Sequence, residues 1–363
     1  MKRWIGVGLA LLLGAAVVAA VVAGNDDGET GGLALVRGVI GSEKQPFFDD
    51  PKVGAAFARH GLRVQVDTAG SRQIASSVDL SAYDFAFPSS APAAERIRQA
   101  HKATEVFSPF YSPMAIATYG SIAGVLEKAG VVRDSGQGYQ IFDIRKYMDL
   151  VAKKTRWDAL PGNTAYPARK RVLMTTTDIR TSNSAAMYLA IAGYVANGED
   201  VVASRDEVAK VAERVSPLFL DQGYSAASTE APFEDYLVMG AGKTPMVMIY
   251  EAQYAARLFA GDGSITPEMR LLYPSPTVYS KHTLVPLRGR GADVGRLLQK
   301  DPELGALAAR YGFRTSDTKG FAELVAKTRA PLARSLVDVV EPPAYDYLED
   351  LIATVERRYL NAS

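Results

Sequence analysis

Cysteine is absent from the 363-residue chain, and its absence excludes several kinds of site. The chain can form no disulfide bond, no thiolate metal site and no lipid-modified cysteine of the kind that attaches many exported proteins to membranes. Histidine is scarce as well, since only His60, His101 and His282 occur and their spacing does not match that of metal ligands. The sequence therefore predicts neither a metal site nor a cofactor.

A dominant charge is also missing, because 41 lysine and arginine residues are balanced by 40 aspartate and glutamate residues. A chain without an excess of positive charge lacks the electrostatic field with which proteins attract nucleic acid. The composition therefore excludes nucleic acid as a partner. The 48% of hydrophobic residues and the length of the chain instead predict a globular protein with a sizeable core and about two domains.

Local catalytic motifs are missing too. Gly242-Lys243-Thr244 resembles the end of a phosphate-binding P-loop, but Leu237 occupies the position of the required earlier glycine. A strand-like run follows from Pro245, where a P-loop needs a helix. The chain contains no Gly-x-Ser-x-Gly turn of the kind that carries a nucleophilic serine. The sequence thus predicts a protein that is not an enzyme.

The N-terminus has the layout of an export signal or a membrane anchor, because two basic residues precede an apolar run from Trp4 to Ala23. About 20 apolar residues span a bilayer as a helix, whereas a cleavable signal has an apolar core of about 7–15 residues. We expect residues 1–24 to remain as a transmembrane helix, although Val21-Val22-Ala23 leaves cleavage open, and residues 25–33 to form a linker. With the basic end in the cytoplasm, the bulk of the chain is expected on the extracytoplasmic side of the cell membrane.

Strand and helix patterns alternate along the rest of the chain, which predicts an α/β fold. The first three strand-like runs, Leu33–Ile40, Leu62–Val66 and Tyr83–Phe87, each end in a turn of small polar residues. Arg171–Thr175 and Pro245–Tyr250 are further strand-like runs. In an open α/β sheet, ligands bind outside the carboxyl ends of the strands. We therefore expect a ligand site among these turns.

Two serine-containing turns contribute most of the candidate site. The first serine turn, Gly41–Lys44, and the second serine turn, Thr177–Ser184, each follow a strand-like run and lead into a predicted helix. Such turns present backbone N–H groups and hydroxyls to an anion or a carboxylate. With positions at the ends of the other strands, they give these candidate ligand-binding residues: Ser42, Glu43, Lys44, Thr68, Gly70, Ser71, Ser89, Ser90, Asp178, Arg180, Ser182, Asn183, Ser184, Glu251 and Tyr279.

The charged members of this set leave the nature of the ligand open. Glu43, Asp178 and Glu251 would repel an anion unless they bond neighbouring side chains or a cationic part of the ligand. The pattern is therefore compatible with an oxyanion, a zwitterion or another organic molecule. Serine, asparagine and glycine are also ordinary residues of helix caps and turns, and charged pairs at turns are often solvated. A purely structural role is thus the alternative for each residue.

Four segments, taken in their order along the chain, resemble a known family. They are the first serine turn, Ser112–Thr118, Tyr279–Pro286 and Asp301–Arg314, the last of which ends in Tyr-Gly-Phe-Arg. Together they resemble the type 2 periplasmic solute-binding proteins and, within that family, the molybdate/sulfate-binding branch. The resemblance covers about residues 34–316.

The resemblance implies a two-lobe α/β fold whose lobes are joined by two hinge strands. Residues 34–113 and 276–336 would form lobe 1, residues 114–275 lobe 2, and residues 337–363 a C-terminal helical extension. Closure of the lobes over a ligand would bring the first serine turn against the second.

The function implied by the resemblance is the capture of a small polar or anionic ligand between the lobes for uptake, with an ABC permease as the partner. The alternative is a surface sensor or assembly protein that has the same fold and takes no part in transport. An exported hydrolase or transferase that uses the same cleft is a third possibility, although no motif of the sequence supports it.

Overall fold

The computed structural model describes residues 32–222, 226–336 and 338–362. The predicted signal or anchor segment, residues 1–24, lies outside this part of the chain, and so does most of the predicted linker. Within the three described ranges, no helix is both long enough and apolar enough to cross a membrane.

The strands of the described residues form one mixed sheet. In chain order they are β1 (Ala34–Ile40), β2 (Leu62–Thr68), β3 (Phe85–Phe87), β4 (Phe107–Tyr119), β5 (Val132–Asp134), β6 (Gln140–Asp143), β7 (Met246–Tyr250), β8 (Met269–Ser275), β9 (Thr277–Pro286) and β10 (Val339–Val340). The order across the sheet is β2-β1-β3-β9-β4-β8-β6-β5, with β10 beside β9 and β7 beside β4.

Helices connect these strands and cover the sheet. The α-helices are α1 (Gln45–Phe48), α2 (Pro51–Arg59), α3 (Ser71–Ser76), α4 (Ala91–His101), α5 (Gly120–Lys128), α6 (Ile144–Ala152), α7 (Asn183–Ala196), α8 (Arg205–Val215), α9 (Pro217–Leu220), α10 (Glu230–Met239), α11 (Glu251–Ala260), α12 (Gly291–Lys300), α13 (Pro302–Arg310), α14 (Thr318–Thr328) and α15 (Tyr345–Ala362). Short 3-10 turns occur at Ser42–Lys44, Leu80–Ala82 and Trp157–Ala159.

Helix starts follow the capping signals of the sequence. The carboxylate of Asp50 accepts a hydrogen bond from the Lys52 amide at 2.8 Å, and Pro51 occupies the first turn of α2. Asp301 caps α13 in the same way, by accepting from the amides of Glu303 and Leu304. A cap satisfies amides that have no partner inside the helix, and proline suits the first turn because it has no amide hydrogen to lose.

Strand β4 belongs to both halves of the sheet. Its first half pairs with β9, from Phe107 opposite Leu284 to Pro113 opposite Tyr279. Its second half, from Met114 onward, pairs with β7 on one side and β8 on the other. Strand β9 also pairs with β3. The two long antiparallel strands β4 and β9 therefore connect the β1–β3 region to the β5–β8 region.

Apolar side chains collect in separate clusters on these two regions. A smaller cluster around β1, β3 and α4 includes Val39, Ile74, Ala86 and Ile97. A larger cluster surrounds α7, which is buried on nearly all sides because its residues are apolar around the whole circumference. The apolar face of α15 joins the larger cluster through Leu348, Leu351, Ile352 and Val355. The C-terminal helix is therefore part of the packed fold.

The strand predicted at Arg171–Thr175 is wrong. Only isolated bridges form there, from Arg171 to Arg156 and from Thr175 to Val247. The amides of this segment donate to unrelated partners: that of Val172 to the Thr155 carbonyl, that of Met174 to the Tyr147 hydroxyl and that of Thr175 to the Met246 carbonyl. A segment whose amides donate hydrogen bonds to several different elements cannot pair continuously with one neighbouring strand, so it forms no β-strand despite its hydrophobic pattern.

Candidate functional site

The two serine turns line the same hollow. This inner pocket has a volume of about 30 Å³. Its lining comes from five separate stretches of chain: Gly41, Ser42, Glu43, Ala69, Gly70, Ser71, Ser182, Asn183, Ser184, Ala227, Ser228, Thr229 and Tyr250. Seven of the candidate residues are therefore brought together, namely Ser42, Glu43, Gly70, Ser71, Ser182, Asn183 and Ser184.

Glycine at position 70 allows the walls of the pocket to approach each other. A Cβ atom at Gly70 would lie 2.9 Å from the carbonyl oxygen of Thr181, which is closer than a carbon and an oxygen can pack. Gly70 precedes α3, and Thr181 belongs to the second serine turn. Since the crowding involves a backbone atom, a larger residue at position 70 would push the two turns apart.

The N-terminus of α7 faces this pocket with hydrogen-bond donors. Among the described residues, no side chain caps this helix, so its first amides lack the usual side-chain partner. The nearby hydroxyls form a chain: the Oγ of Ser184 lies 2.9 Å from that of Ser182 and 2.8 Å from the Oγ1 of Thr177. The positive end of a helix with hydroxyls beside it stabilises groups that accept hydrogen bonds.

A larger cavity, the outer chamber, adjoins the inner pocket. It has a volume of about 890 Å³ and shares Ser42, Glu43, Ser228, Thr229 and Tyr250 with the inner pocket. Its wall carries the aromatic side chains Phe233, Tyr250, Phe259, Tyr311 and Phe313 and the charged side chains Glu43, Asp50, Glu230, Arg257, Asp262, Arg310 and Lys327. Cavities of roughly 300–1,000 Å³ that combine apolar walls with a few polar groups are typical of small-molecule sites.

A buried charge cluster lies beneath the inner pocket. The ammonium group of Lys44 donates to Glu43 Oε1 at 2.6 Å and to Ser89 Oγ at 2.7 Å. It also lies 3.3 Å from His282 Nδ1 and 4.8 Å from the centre of the Phe87 ring. The side chain of Lys44 is 0% exposed and lines neither cavity, although the sequence predicted it as a ligand-binding residue. Its position is that of a support for Glu43.

The cluster sets the charges of its members. Burial opposes the charge of Glu43, but the charge of Lys44 and the hydrogen bonds from Lys44 and Ser89 outweigh it and lower the pKa of Glu43 to about 2. Burial lowers the pKa of His282 to about 3, and the charge of Lys44 acts in the same direction. Because an ammonium group only donates, Nδ1 of the neutral His282 accepts and the proton lies on Nε2. Burial also lowers the pKa of Lys44, against the opposing effect of Glu43.

The backbone of Ser89 joins the two sides of the pocket. Its carbonyl oxygen accepts a hydrogen bond from Asn183 Nδ2 at 3.0 Å and another from the Ser280 hydroxyl. The Asn183 amide group also donates to the Tyr250 hydroxyl at 3.0 Å, and the Ser89 amide donates to Ser71 Oγ at 2.8 Å. Ser89 is therefore completely enclosed and supports the pocket from below.

Three other candidate residues hold turns and line neither cavity. The hydroxyl of Ser90 caps α4 by accepting from the Ala93 amide at 3.3 Å. Arg180 donates from its side chain and backbone to the Asp178 carboxylate, and the side-chain hydrogen bonds lower the pKa of Asp178. The contacts between Arg180 and Asp178 lie within the second serine turn. Asp178 and Arg180 thus shape the turn that carries Ser182–Ser184.

Thr68 and Tyr279 lie away from the inner pocket. Thr68 is exposed at the end of β2. Tyr279 packs edge-on against Tyr111, with 5.2 Å between the ring centres, and these two rings border a separate cavity of about 340 Å³. The sequence placed Tyr279 near the cleft because of its position next to the expected return hinge strand, which the structure shows as β9 (Thr277–Pro286). Its side chain points to the other side of that strand.

Glu251 belongs to a second buried charge cluster. The guanidinium of Arg314 bonds both oxygens of the Glu251 carboxylate, at 2.7 and 2.8 Å. Tyr273 donates to Glu251 as well, and Arg314 also donates to the carbonyls of Ala333 and Arg334. Burial works against the charge of Arg314, but Glu251 raises its pKa. Glu251 lines neither cavity, so the structure places it in an internal ion pair.

The sequence missed the wall of the pocket formed by Ser228, Thr229 and Tyr250. A signal was present, because Thr229-Glu230 with a proline two residues later is a typical helix start and α10 begins there. Tyr250 directly precedes the candidate Glu251, so the prediction missed the lining residue by one position along the chain.

Arg72 is not one of the candidate ligand-binding residues predicted from the sequence, although it connects three parts of the molecule. Its guanidinium donates from Nη1 to the carbonyls of Ile179 and Arg180 in the second serine turn. It also forms a two-point ion pair with Glu349 of α15, in which Nε lies 2.8 Å from Oε1. Arg72 lies in α3, so this side chain ties the first part of the sheet to the second serine turn and to the C-terminal helix.

The site offers no ready metal ligands. Throughout the described ranges, no three histidine, aspartate or glutamate side chains lie close enough together to hold a metal ion. The chemistry available in the cleft is hydrogen bonding by amides and hydroxyls, the carboxylate of Glu43, and contact with aromatic rings.

Solved structures identify the fold. The periplasmic thiamin binding protein matches with a TM-score of 0.58 at 10% identity, covering 90% of this chain and 96% of its own. The sulfate-binding protein SubI from Mycobacterium tuberculosis H37Rv matches with a TM-score of 0.54 at 17% identity, covering 90% of this chain and 99% of its own. Iron-bound HitA from Pseudomonas aeruginosa matches with a TM-score of 0.52 at 13% identity, covering 90% of this chain and 99% of its own.

The chain has the fold of the type 2 periplasmic solute-binding proteins. The resemblance seen in the sequence is thereby confirmed at the level of the fold. No protein-family model matches the chain. No curated protein matches it by sequence.

Proposed function

We propose that the chain is a membrane-anchored, extracytoplasmic solute-binding protein that captures a small polar or anionic ligand for ABC-type uptake. Lobe 1 would consist of residues 34–113 and 276–336, and lobe 2 of residues 114–275, with β4 and β9 as hinge strands. The observation that carries the proposal is the meeting of the two serine turns, about 140 residues apart in sequence, around one pocket that opens into a larger chamber. A cleft built from two halves of a sheet is where proteins of this fold can close on a ligand.

Binding without catalysis fits the residues of the cleft. The pocket offers donors and one carboxylate, while His282 lies beneath it, completely buried, with its pKa lowered to about 3. A histidine held neutral in this way is a poor general acid, and the hydroxyls bond one another. We therefore propose that the protein is not an enzyme.

The function is tested by a ligand screen on the full-length chain in detergent, with thermal unfolding as the readout. A bound ligand at a hundredfold excess over its dissociation constant stabilises the folded state by about 2.7 kcal/mol. We expect one class of oxyanion, amino acid, amine or sugar to raise the unfolding temperature. If no compound in such a library shifts it, the protein is not a solute-binding protein of this kind.

Variants locate the ligand once it is known. Ser42→Ala and Ser184→Ala remove hydroxyls from the two turns, and we expect each to weaken binding several-fold while the protein remains folded. Ser90→Ala is the matched control, because it removes a helix cap outside the pocket. It should lower stability by about 1 kcal/mol and leave affinity unchanged. Unchanged affinity in both turn variants would move the site elsewhere.

The anchor is tested by fractionation of cells that express the full-length chain. Residues 1–24 should keep the protein in the membrane fraction after a high-salt wash, with the bulk of the chain accessible to protease from outside. Release into the soluble exported fraction would replace the anchor by a cleaved signal.

The contact between Arg72 and Glu349 favours a second candidate function. Helix α15 of the C-terminal extension packs on α7 and α8 of the proposed lobe 2 and on α4 of the proposed lobe 1, and its Glu349 pairs with Arg72 of lobe 1. A transport protein must open to release its ligand, whereas a helix that bridges both lobes opposes opening. A surface sensor or assembly protein that stays closed is therefore the alternative, and slow or absent ligand exchange would support it.

A further inference from the structure

The inner pocket contains an acidic group without a cation beside it. Among its described lining residues, Glu43 is the one whose side chain carries a charge. The partner of Glu43, the ammonium of Lys44, lies behind it, fully buried and away from the pocket. A ligand group that enters the inner pocket therefore meets the carboxylate of Glu43 and not the ammonium of Lys44.

The two oxygens of this carboxylate are used differently. Oε1 accepts hydrogen bonds from Lys44 and from Ser89, and it lies 3.5 Å from His282 Nδ1. Oε2 accepts none of the hydrogen bonds recorded among the described residues. A carboxylate oxygen that faces a cavity and has free lone pairs can accept a hydrogen bond from a donor that enters the cavity. The Glu43 side chain is 11% exposed and lines both cavities, so a ligand in the cleft is the natural donor to Oε2.

The adjoining chamber fits an organic molecule better than a small inorganic ion. Its volume of about 890 Å³ lies within the range of sites for drug-sized ligands. Rings of Phe233, Tyr250, Phe259, Tyr311 and Phe313 line it. Aromatic rings bury apolar surface, and their faces attract cations.

One of the two arginines that line the chamber, Arg257, is already neutralised. Arg257 bonds Glu234, and its guanidinium nitrogens lie 3.8 Å from Glu230 and 3.7 Å from Asp262. Three carboxylates around one guanidinium leave the surroundings of Arg257 acidic, and an anionic ligand would gain little from Arg257. Arg310 and Lys327 also line the chamber, against the carboxylates of Glu43, Asp50, Glu230 and Asp262, so acidic side chains slightly outnumber basic ones in the lining.

We infer that the cleft takes an organic amine, with its protonated ammonium group in the inner pocket against Glu43 Oε2 and its apolar part between the aromatic rings of the outer chamber. The inference rests on the proposed function and narrows its ligand class. The hydroxyls of the two serine turns and the amides of α7 remain for the acceptor groups of the same molecule.

The test compares probes that share a carbon skeleton and differ in charge. Tyramine, tyrosol and 4-hydroxyphenylacetate carry an amine, an alcohol and a carboxylate on closely similar aromatic bodies, and sulfate and molybdate represent oxyanions. Each is titrated into the full-length chain in detergent by calorimetry. We expect tyramine to bind at least tenfold more tightly than tyrosol, and the three anions to show no binding at the same concentrations.

Variants tie the preference to Glu43. Glu43→Gln keeps the shape but removes the charge, and it should reduce tyramine affinity at least tenfold while tyrosol affinity changes less than twofold. Because this variant leaves Lys44 without its partner, the double variant Glu43→Gln with Lys44→Met provides a neutral cluster of similar size. It should lose the same preference for the amine. Glu303→Gln, on an exposed ion pair with Arg59, is the control that should bind as the wild type does.

The outcomes separate the inference from the function on which it rests. Binding of sulfate, molybdate or the carboxylate in preference to tyramine overturns the amine inference and leaves the solute-binding function standing. A preference for tyrosol, or a preference for tyramine that survives in both Glu43 variants, also overturns the inference. If no probe binds and the wider ligand screen is also silent, the proposed function fails together with the inference.

Discussion

The molecule contains two buried ion pairs, Glu43–Lys44 and Glu251–Arg314, that differ in how completely they are satisfied. In the Glu251–Arg314 pair both carboxylate oxygens receive hydrogen bonds from the guanidinium, and Arg314 uses further donors on backbone carbonyls. The pair lines neither the inner pocket nor the outer chamber. In the Glu43–Lys44 pair one carboxylate oxygen holds the recorded hydrogen bonds, and Glu43 lines both cavities.

The difference separates a structural charge cluster from a candidate binding cluster. Burial and charge are shared by both pairs, so neither property identifies a site. An acceptor without a donor beside a cavity does, because a ligand can supply what the fold leaves unsatisfied. The Glu43 cluster also contains a buried donor without a partner in the described part of the chain, the Nε2 of His282, although His282 lines neither cavity.

The largest effect on stability is expected from Glu251→Gln. Removing one partner of a buried ion pair leaves Arg314 with an uncompensated charge, which costs about 3–5 kcal/mol of unfolding free energy. Urea unfolding monitored by circular dichroism measures the loss. Glu303→Gln on the exposed pair with Arg59 is the control and should change stability by less than about 0.5 kcal/mol. Equal stabilities of the two variants would show that the Glu251 cluster is not the structural one.

Acid should destabilise the Glu43 cluster through His282. The folded-state pKa of about 3 lies below the ordinary 6.5, because burial and Lys44 disfavour the charged ring. As the pH falls, the unfolded chain therefore takes up a proton on this histidine at a higher pH than the folded chain does. The stability that the neutral His282 contributes is complete above pH 6.5 and is lost as the pH falls toward 3. By pH 4 this linkage lowers the free energy of unfolding by about 3 kcal/mol.

The variant His282→Asn should remove this part of the acid sensitivity, because asparagine keeps an acceptor and does not titrate. Unfolding free energies of both proteins between pH 4 and 7 give the difference. Glu43 does not obscure the comparison, since its pKa of about 2 places its loss between pH 4.5 and 2. Parallel pH curves for wild type and variant would contradict the buried neutral histidine.

A smaller effect is expected from Glu43→Gln. The change leaves the Lys44 ammonium with Ser89 and His282 as remaining acceptors, and the loss of stability should be about 1–3 kcal/mol. The double variant with Lys44→Met should recover part of this loss, because a neutral, well-filled cluster needs no ion pair. Denaturant midpoints of the three proteins decide the matter. A double variant less stable than the single one would mean that Lys44 has a structural role beyond Glu43.

The smallest effect on stability is expected from Glu349→Gln, which removes the ion pair with Arg72 and keeps the hydrogen bonds from Arg72 to the second serine turn. The ion pair is partly exposed, so its removal should cost no more than about 1 kcal/mol. The effect of this variant on lobe opening should be clearer and should appear as faster hydrogen exchange in the second serine turn. Asp350→Asn is the matched control, because Asp350 lies on the same helix and pairs with Arg205 of the proposed lobe 2. Identical exchange in both variants would remove the bridging role of α15.

The strand ends and turns of the site could be predicted from the sequence because they depend on local patterns. The first serine turn, Gly70-Ser71 and the start of α7 each carry a turn or helix-start signal within a few residues. The role of Lys44 could not be predicted, since its enclosure depends on Ser89 and His282, which are 45 and 238 residues away. Arg72 and Glu349, 277 residues apart, show the same limit.

The central claim is that a small ligand binds between the two serine turns. Hydrogen–deuterium exchange of the full-length chain, with and without the ligand from the screen, tests it directly. We predict simultaneous protection of the amides around Ser42 and around Ser184, with little change near Tyr279. Protection confined to one turn, or located at the Tyr279 cavity instead, would contradict the account.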